Sequence, residues 1–521
     1  MEMDTIKKAT AATGFAIFLA VLWRVLDWAW FTPKRLEKRL RQQGFKGNPY
    51  RLFVGDVKDM AMLHQEALSK PLEFTHDIVP RLMPLTNKII MTYGKNSFTW
   101  MGRAPKIHVL EPGLFKEVLT QYRKFPKNVS VHNPLIKFLF TGVGSYEGDH
   151  WSKHRRLINP AFTIEKVKNM LPTFAVCYEN ELMAWENIAA KEGSHEVDVY
   201  PAFDVLASNV IAQVAFGSTY EEGRRIFHLM KELVFLTIEI MREIYIPGWS
   251  YLPTTKNMKI KGINREISDM LRNMIHKRLK SIKAGESSDN DLLGVLLESN
   301  FHNIQQEGNK KNVGLTIDEI IDECKLFYFV GQDTTGTTLT WTTLLLCKHP
   351  EWQERAREEV LQAFGKKRPE FGEMNQLKYV TMILYEAMRL YPPVYDLNKI
   401  AHEDTKLGPY TIPAGTQIQL LTAMVHREKS IWGEDSMEFN PMRFVDGVAA
   451  ATKNQIAYIP FSYGPRNCVG QNFAMLEMKL ALAMMLQRFT FSLSPSYVHA
   501  PFSIISLQPQ HGSHVIFRKL D

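Results

Sequence analysis

The sequence predicts a mainly α protein with small β-sheets, preceded by one N-terminal transmembrane helix. Three observations support this fold class. Most of the 521 residues lie in long runs whose apolar side chains recur at helical spacing, as on the buried face of a helix. Short β-like pieces interrupt these runs at 97–101, 106–109, 410–412 and 417–421. A long apolar stretch lies near the N-terminus.

The first element is the apolar segment from Ala9 to Phe31, which is uncharged as far as Trp23. As a helix it spans about 35 Å, enough to cross the roughly 30 Å hydrocarbon core of a bilayer. Lysines and arginines crowd positions 34–41 directly after it, which favours a cytosolic location for the remainder of the chain. A cleaved signal peptide is the alternative, but no small-residue cleavage site follows the apolar run.

We therefore divide the chain into an N-terminal membrane anchor (1–31), a basic linker (32–60) and one catalytic domain (61–521). The stretches 284–291 and 305–312 are predicted surface loops because they are rich in polar residues. The net charge is +8, but the basic residues are scattered among 55 acidic ones. This pattern argues against a nucleic-acid partner and favours an anionic membrane or an acidic redox partner.

The four cysteines are Cys177, Cys324, Cys347 and Cys468. None belongs to a CxxC pair, which argues against a structural zinc site or a redox dithiol. Cysteines that are so few and so widely spaced indicate a reducing compartment.

Cys468 lies in a distinctive segment, FSYGPRNCVG, which begins at Phe461 and ends at Gly470. Gly464 permits a tight turn, and Arg466 supplies a fixed cation suited to a carboxylate. A long apolar-periodic helix is predicted from Val469 onward, which places Cys468 at a helix N-terminus, where backbone N–H groups stabilise a thiolate. The absence of a side chain at Gly470 lets a flat macrocycle approach the backbone.

A second segment is predicted to be a long helix beginning with a capping box from Thr316 to Glu319. Seven threonines lie between Thr334 and Thr343, an unusual choice because β-branching lowers helix propensity. One interpretation is a bent helix whose hydroxyls bond back to its own carbonyls. The other depends on the family that the chain resembles.

The Cys468 segment matches the FxxGxRxCxG signature of the cytochrome P450 family at every fixed position, and the chain resembles that family over essentially its whole length. The resemblance implies the cytochrome P450 fold and a haem b whose iron is ligated by Cys468. It implies that Asp333 and Thr334 relay protons to iron-bound dioxygen, with Gly331 leaving room over the haem. It also implies that Glu386 and Arg389 form a buried structural triad with Arg443, although an ExxR pair considered alone is an ordinary surface ion pair.

The resemblance further identifies groups around the haem. Trp151 and Arg155 match a WxxxR pair that contacts a propionate, Arg466 would contact a propionate too, and Lys399 stands where relatives often have arginine. The sequence departs from the family at Val330, where alanine or glycine is usual; the added methyl groups would narrow the pocket above the iron. Neither a flavin nor a nicotinamide motif is present, which implies electrons from an NADPH-cytochrome P450 reductase.

Stretches such as YIPGWSYLP and HPEWQERAREEVLQAFGK resemble plant members of the family that oxidise iridoid glucosides. That similarity implies an endoplasmic reticulum enzyme that opens the ring of loganin or loganic acid to give secologanin or secologanic acid. Segments that line the active site in the family supply the candidate substrate contacts, namely His132, Phe327, Val330, Val394, Tyr395, Asp396, Asn398 and Ile504. A solvent-facing or capping role is an equally good interpretation of His132.

The sequence is compatible with two other functions. Within the class, the chain could be a terpenoid hydroxylase, for example one acting on 7-deoxyloganic acid. In a different class, it could be a haem protein of the same fold that is not a monooxygenase. The pair formed by Asp333 and Thr334 argues against the second alternative, because redox-silent members of the fold tend to lose it.

Overall fold

The computed structural model describes residues 2–127, 134–217, 220–242, 248–284, 291–307, 314–453 and 455–520. His132 lies outside the described residues, as do 285–290 and 308–312 of the two predicted loops. The predicted fold class is confirmed, since helices dominate the described chain and the strands form four small sheets within it.

The helices are labelled in chain order. They are α1 (Glu2–Leu26), α2 (Thr32–Gln42), α3 (Val57–Leu68), α4 (Val79–Leu82), α5 (Pro84–Tyr93), α6 (Pro112–Thr120), α7 (Gly142–Ser145), α8 (Gly148–Ile158), α9 (Ile164–Glu192), α10 (Val199–Phe216), α11 (Tyr220–Arg242), α12 (Thr255–Lys283), α13 (Leu292–Glu307), α14 (Ile317–Lys348), α15 (Pro350–Phe364), α16 (Phe371–Met374), α17 (Lys378–Leu390), α18 (Thr422–Val425), α19 (Lys429–Trp432), α20 (Gly447–Ala451) and α21 (Gln471–Arg488).

The strands are short. They are β1 (Phe98–Met101), β2 (Ala104–Val109), β3 (His195–Asp198), β4 (Leu397–Ile400), β5 (Thr405–Leu407), β6 (Tyr410–Ile412), β7 (Gln417–Leu420), β8 (Phe489–Leu493), β9 (Pro501–Ser503), β10 (Leu507–Pro509) and β11 (His514–Lys519). The four predicted β pieces correspond to β1, β2, β6 and β7. The other seven were not predicted, because runs of three to six residues carry little periodicity.

The first of two compact units comprises Met1–Lys70, Asp77–Asn128 and Asp396–Val425. Its main sheet has the order β1-β2-β7-β4, in which β2 and β7 run parallel and the other neighbours antiparallel. β5 and β6 form a separate antiparallel pair. The core of this unit includes Phe98, Trp100, Ile107 and Ile418, which are fully buried.

The membrane-anchor prediction is compatible with the structure: among the described residues, Ala12–Gln42 is the one helix long and apolar enough to cross a membrane. α1 continues through a π-helical turn at Asp27–Phe31 into α2, so the helix does not break at the predicted boundary between anchor and linker. The predicted linker is also packed rather than extended. Phe45 and Tyr50 are buried, and the Tyr50 hydroxyl donates to the Ala29 carbonyl at 2.8 Å.

The second unit comprises Pro71–His76, Val129–Tyr395 and His426–Asp521. The long helix α14 lies at its centre and packs against α10, α17 and α21. The predicted capping box is confirmed, because the Thr316 hydroxyl accepts from the Glu319 N–H while the Glu319 carboxylate accepts from the Thr316 N–H. The small sheets β3-β11-β8 and β9-β10 complete the unit.

Two glycines set the distance between α10 and α14. A Cβ on Gly331 would lie 3.0 Å from the Cδ1 atom of Ile211, and one on Gly336 would lie 3.1 Å from the backbone of Asp204. Both positions on α14 therefore face α10. The structure gives Gly331 a helix-packing role in place of the predicted role of leaving room above a haem.

Candidate active site

The Cys468 loop is held by its own backbone. Ser462 and Gly464 adopt positive φ angles of 62° and 75°, a region that costs glycine little and serine more. A 3-10 turn follows at Gly464–Arg466, and the Cys468 N–H donates to the Phe461 carbonyl at 2.8 Å. These bonds fix where the sulfur can lie.

The helix after the loop begins slightly later than predicted. α21 starts at Gln471 with Gly470 as its N-cap, two residues after the predicted start. Cys468 thus lies two residues before the N-cap of α21, close to N–H groups that favour a thiolate. A Cβ on Gly470 would lie 4.0 Å from the Cys468 sulfur and 3.9 Å from the Phe162 ring, so the glycine keeps the space beside the sulfur open.

Two guanidinium groups flank this loop. Arg155 donates to the Asn467 carbonyl at 2.6 Å and to the Asn467 side-chain oxygen at 2.9 Å. Arg466 donates to the Tyr146 carbonyl at 2.6 Å, and its guanidinium carbon lies 5.0 Å from the centre of the Trp151 ring. Burial lowers the pKa of Arg155, while the charge of Cys468 opposes that shift.

The predicted triad comes together as a buried group. Both Glu386 oxygens accept from Arg389, at 2.7 and 2.8 Å, and one also accepts from Arg443 at 3.3 Å. Glu386 and Arg389 have no exposed surface. The remaining Arg389 donors bond the carbonyls of His426, Ser436 and Glu438, so this pair ties α17 to the segment that precedes the Cys468 loop.

One face of α14 carries the predicted groove residues. Val330 is 39% exposed, and the Thr334 hydroxyl, one turn later, donates to the Val330 carbonyl at 2.9 Å. Four further threonines bond back four residues in the same way, namely Thr338, Thr340, Thr342 and Thr343. The hydroxyl bonds that the first interpretation predicts are therefore present, and they are compatible with a groove because Thr334 remains partly accessible.

Asp333 points to different partners from Thr334. Its carboxylate accepts from Ser506 at 2.9 Å and from Gln508 at 3.3 Å, and it is also hydrogen-bonded to Tyr200. Burial raises the pKa of Asp333 to about 6. The carboxyl therefore keeps its proton to a higher pH than an ordinary aspartate does. Among the described residues, the hydroxyl groups bonded to the Asp333 carboxylate are those of Ser506 and Tyr200, and Thr334 is not a partner.

An aromatic contact connects the Cys468 loop with α14. The Phe162 ring, which borders Gly470, packs edge-to-face against Phe327 with ring centres 5.4 Å apart. Phe327 is buried one turn before Val330.

Two further predicted substrate residues of this unit, Val394 and Ile504, are both 39% exposed. Their segments are joined, because the Leu507 N–H donates to the Pro393 carbonyl at 3.1 Å, while Ser506 bonds Asp333 and Thr337 on α14. Tyr395, which follows Val394, is partly exposed.

Two predicted residues, Asn398 and Lys399, belong to β4 of the first unit, and Asp396 directly precedes this strand. Lys399 is buried in β4 opposite Ile418 of β7. The Asp396 carboxylate accepts from the side-chain amides of Asn398 and Gln419, the former at 3.2 Å. Among the described residues, the Asn398 Oδ1 and Gln419 Oε1 atoms are buried and accept no hydrogen bond.

Several residues that hold this site were not predicted from the sequence, chiefly Tyr146, Tyr200, Asn467 and Ser506. Each acts through a contact between segments far apart in the chain, for which a single sequence carries no local signal. Asn467 is adjacent to the cysteine in the sequence, but its contact with Arg155 could be recognised only from the folded structure.

The residues present fit a haem. They combine a cysteine beside a helix N-terminus, a glycine that leaves the sulfur accessible and two arginines suited to carboxylates. The fold and this donor set define a haem-thiolate monooxygenase. The Cytochrome P450 family profile matches residues 81–514, and the chain belongs to the cytochrome P450 family.

Several proteins resemble the chain closely. Secologanin synthase 1 of Catharanthus roseus is 70% identical over 521 residues, which is 100% of this chain and 99% of the relative. The 7-deoxyloganic acid hydroxylase of the same plant is 52% identical over 97% of this chain and 98% of its own length. A solved structure, retinoic acid-bound cyanobacterial CYP120A1, shares the fold with a TM-score of 0.71 at 22% identity, covering 84% of this chain and 94% of that one.

Proposed function

We propose that this chain opens the cyclopentane ring of loganin or loganic acid, yielding secologanin or secologanic acid. The observation that carries the proposal is the 70% identity to secologanin synthase 1 over the full length. The hydroxylase of 7-deoxyloganic acid shares 52% and defines the second candidate, a hydroxylation without ring opening.

The two reactions differ in their atom balance. Ring opening removes two hydrogens from the substrate, as a carbon–carbon bond breaks to give an aldehyde and an alkene. Dioxygen combines with those two hydrogens, two protons and two electrons from NADPH to form two molecules of water. Hydroxylation inserts one oxygen atom and yields one water. The haem supplies dioxygen activation in both cases, so the position of the substrate selects the outcome.

Side chains of the protein are proposed to deliver protons and to bind the haem propionates. We assign Thr334 to delivering protons in the groove, because its hydroxyl lies on the accessible face of α14. Asp333, held by Ser506 and Gln508, is the acid from which such protons are drawn. Arg155, Arg466 and Trp151 are proposed to hold the haem propionates.

The polar end of the substrate needs hydrogen-bonding partners. The buried oxygens of Asn398 and Gln419 lack donors within the described protein, and a buried acceptor left unsatisfied is costly. The family resemblance supports Asp396 and Asn398 as candidate substrate contacts, and their polar side chains suit the hydroxyl groups of a glucoside.

Val330 is proposed to limit how the cyclopentane ring lies over the haem and to help hold one methyl group of the substrate nearest the iron. Its side chain is 39% exposed and stands one turn before Thr334, so it extends into the space that the groove leaves open. A contact of this size is worth about 1–3 kcal/mol, which is enough to change the site of attack by roughly ten- to a hundredfold.

Product analysis tests the proposal. The full-length enzyme, with NADPH-cytochrome P450 reductase, is expected to convert loganin or loganic acid to a ring-opened aldehyde. Turnover of 7-deoxyloganic acid alone, to an alcohol, would establish the hydroxylase instead. Val330→Ala is expected to change the ratio of ring-opened to hydroxylated products, whereas Val498→Ala, an equally exposed valine, should leave it unchanged. His132→Ala should raise the KM if His132 binds the polar end.

We further propose that the anchor places the chain in the endoplasmic reticulum membrane with the catalytic part in the cytosol. The basic residues after the apolar helix support this orientation. The sequon at Asn128 provides the test, because it can be glycosylated only in the lumen. Glycosylation of the intact chain would contradict the orientation.

A further inference from the structure

A group of metal-ligating side chains lies on α8 and α14, and none of its members is assigned to the haem. His150 and His154 stand one turn apart on α8, and Glu319 lies in the first turn of α14. The Nε2 atoms of the two histidines are 3.0 Å apart, and the Glu319 Oε1 atom lies 3.0 Å from the first and 3.3 Å from the second. All three ligand atoms therefore face one point.

We propose that His150, His154 and Glu319 bind a divalent transition-metal ion, with Zn²⁺ as the expected occupant. Zinc bonds imidazole nitrogen and carboxylate oxygen at about 2.0–2.2 Å, and ligand atoms at the corners of a tetrahedron of that size are about 3.3–3.6 Å apart. The observed separations of 3.0–3.3 Å need only a few tenths of an ångström of expansion. Two histidines and one glutamate are a ligand set that zinc uses when its fourth position is open to water.

A further carboxylate supports the same assignment. The Nδ1 atom of the fully buried His154 lies 2.6 Å from Glu323, so the ring donates its proton there and turns the lone pair of Nε2 toward the other two ligands. Metal-binding histidines almost always have such a partner on the second nitrogen. Glu323 is itself fixed by the Val143 N–H at 2.8 Å.

The other two ligands are also held in position. The second oxygen of Glu319 accepts from the Thr316 N–H at 2.8 Å, so the capping box directs the first oxygen to the histidines. The His150 ring stacks on Tyr146 with centres 4.1 Å apart. The His150 side chain is 46% exposed, which gives an ion a path of entry and a water a fourth position.

Two charged neighbours bear on the site. Lys153 lies 3.2 Å from both Glu319 oxygens and opposes a cation, but its flexible side chain can move away from the oxygen that binds the metal. Asp322, next to Glu323, adds negative charge. Without a metal, a proton on the His150 Nε2 atom would have to be shared between His154 and Glu319. The experiment distinguishes a bound metal ion from a proton shared by these side chains.

A bound ion would join α8 to the start of α14. α8 also carries Trp151 and Arg155, so the metal would stabilise the helix on which the residues beside the Cys468 loop depend. We assign the site a stabilising role, independent of the proposed substrate.

The test is zinc binding by the tag-free, full-length holoenzyme after removal of free metal. Equilibrium dialysis with metal analysis is expected to show one zinc per haem at micromolar zinc. His150→Ala and Glu319→Gln should weaken binding by at least about tenfold, and the exposed His402→Ala should not. X-ray absorption at the zinc edge should show two imidazoles in the wild type and one in His150→Ala.

Thermal loss of the haem spectrum provides a second readout, because an ion that binds the folded state raises the midpoint. At the same zinc concentration, zinc should raise it equally in the wild type and in His402→Ala and clearly less in His150→Ala. No stoichiometric binding at micromolar zinc, or binding that His150→Ala and Glu319→Gln leave unchanged, would overturn the proposal and leave the shared proton as the correct arrangement.

Discussion

Replacing Glu386 by glutamine removes one negative charge from a group of three buried side chains. The amide keeps one acceptor oxygen, which can still serve the N–H of Asn440 and the guanidinium of Arg443. Its NH₂ group, however, turns toward Arg389, whose own groups all donate. The substitution therefore leaves a fully buried guanidinium beside another donor.

The magnitude follows from the bonds lost. Arg389 makes two charge-assisted hydrogen bonds to Glu386, at 2.7 and 2.8 Å, each worth about 1.5–3 kcal/mol. Glutamine loses the 2.7 Å bond outright, which costs about 1.5–3 kcal/mol, and leaves the 2.8 Å bond to an uncharged oxygen. Because the buried charge is removed as well, the total cost approaches the roughly 3–5 kcal/mol typical of breaking a buried ion pair. The same glutamate–arginine spacing occurs in Glu354 and Arg357, but Glu354 is 59% exposed, and loss of such a pair costs about 0–1 kcal/mol.

Urea titration of the holoenzyme measures this difference through the carbon-monoxide difference spectrum, which reports the thiolate-ligated haem. Glu386→Gln should release haem at a clearly lower urea concentration than the wild type, and it should also lower the yield of haem-containing protein. Glu354→Gln is the matched control and should keep the wild-type midpoint. Equal midpoints for all three proteins would refute the assignment of Glu386 to folding and haem retention.

Three other substitutions probe the chemistry. Cys468→Ser should abolish the carbon-monoxide difference band of the thiolate-ligated haem, and a retained band would refute the ligand assignment. Thr334→Ala should fold and bind haem, because the hydroxyl bonds only its own helix, but should release hydrogen peroxide in place of product; an unchanged ratio of product to NADPH consumed would exclude the relay. Asp333→Asn tests the raised pKa of about 6: the unfolded wild type loses this proton near pH 4 and the folded one near 6, so wild-type stability relative to the variant should fall as pH rises between those values. Parallel pH dependence of the two urea midpoints would contradict it.

The sequence was most informative where the required geometry is local. The Cys468 loop needs a positive φ at Gly464 and a helix N-terminus after Gly470, and both requirements appear as residue types at fixed spacing. The capping box from Thr316 to Glu319 belongs to the same category, because its two hydrogen bonds span three residues. Each of these features is present in the structure.

Other expectations needed the neighbouring helix. Gly331 was expected to leave room above a haem, whereas its missing side chain accommodates Ile211 of α10. Helical periodicity indicates that two residues lie on different faces of a helix, but it does not indicate which neighbouring element packs against each face. The hydrogen-bond partners of Asp333 are likewise distant in the sequence, since Tyr200, Ser506 and Gln508 are all more than a hundred residues away.

By itself, the sequence determined the fold class, the apolar anchor, the cysteine ligand loop and the residues of the ExxR pair, since all of these depend on periodicity or on spacing within one segment. Only the tertiary structure decided that Glu386 and Arg389 are fully buried, that Arg155 reaches Asn467, and that His150, His154 and Glu319 face one point. The physical reason is chain separation. Hydrogen bonds and metal ligation act over about 2–3 Å, and a single sequence does not record which of its distant segments approach that closely.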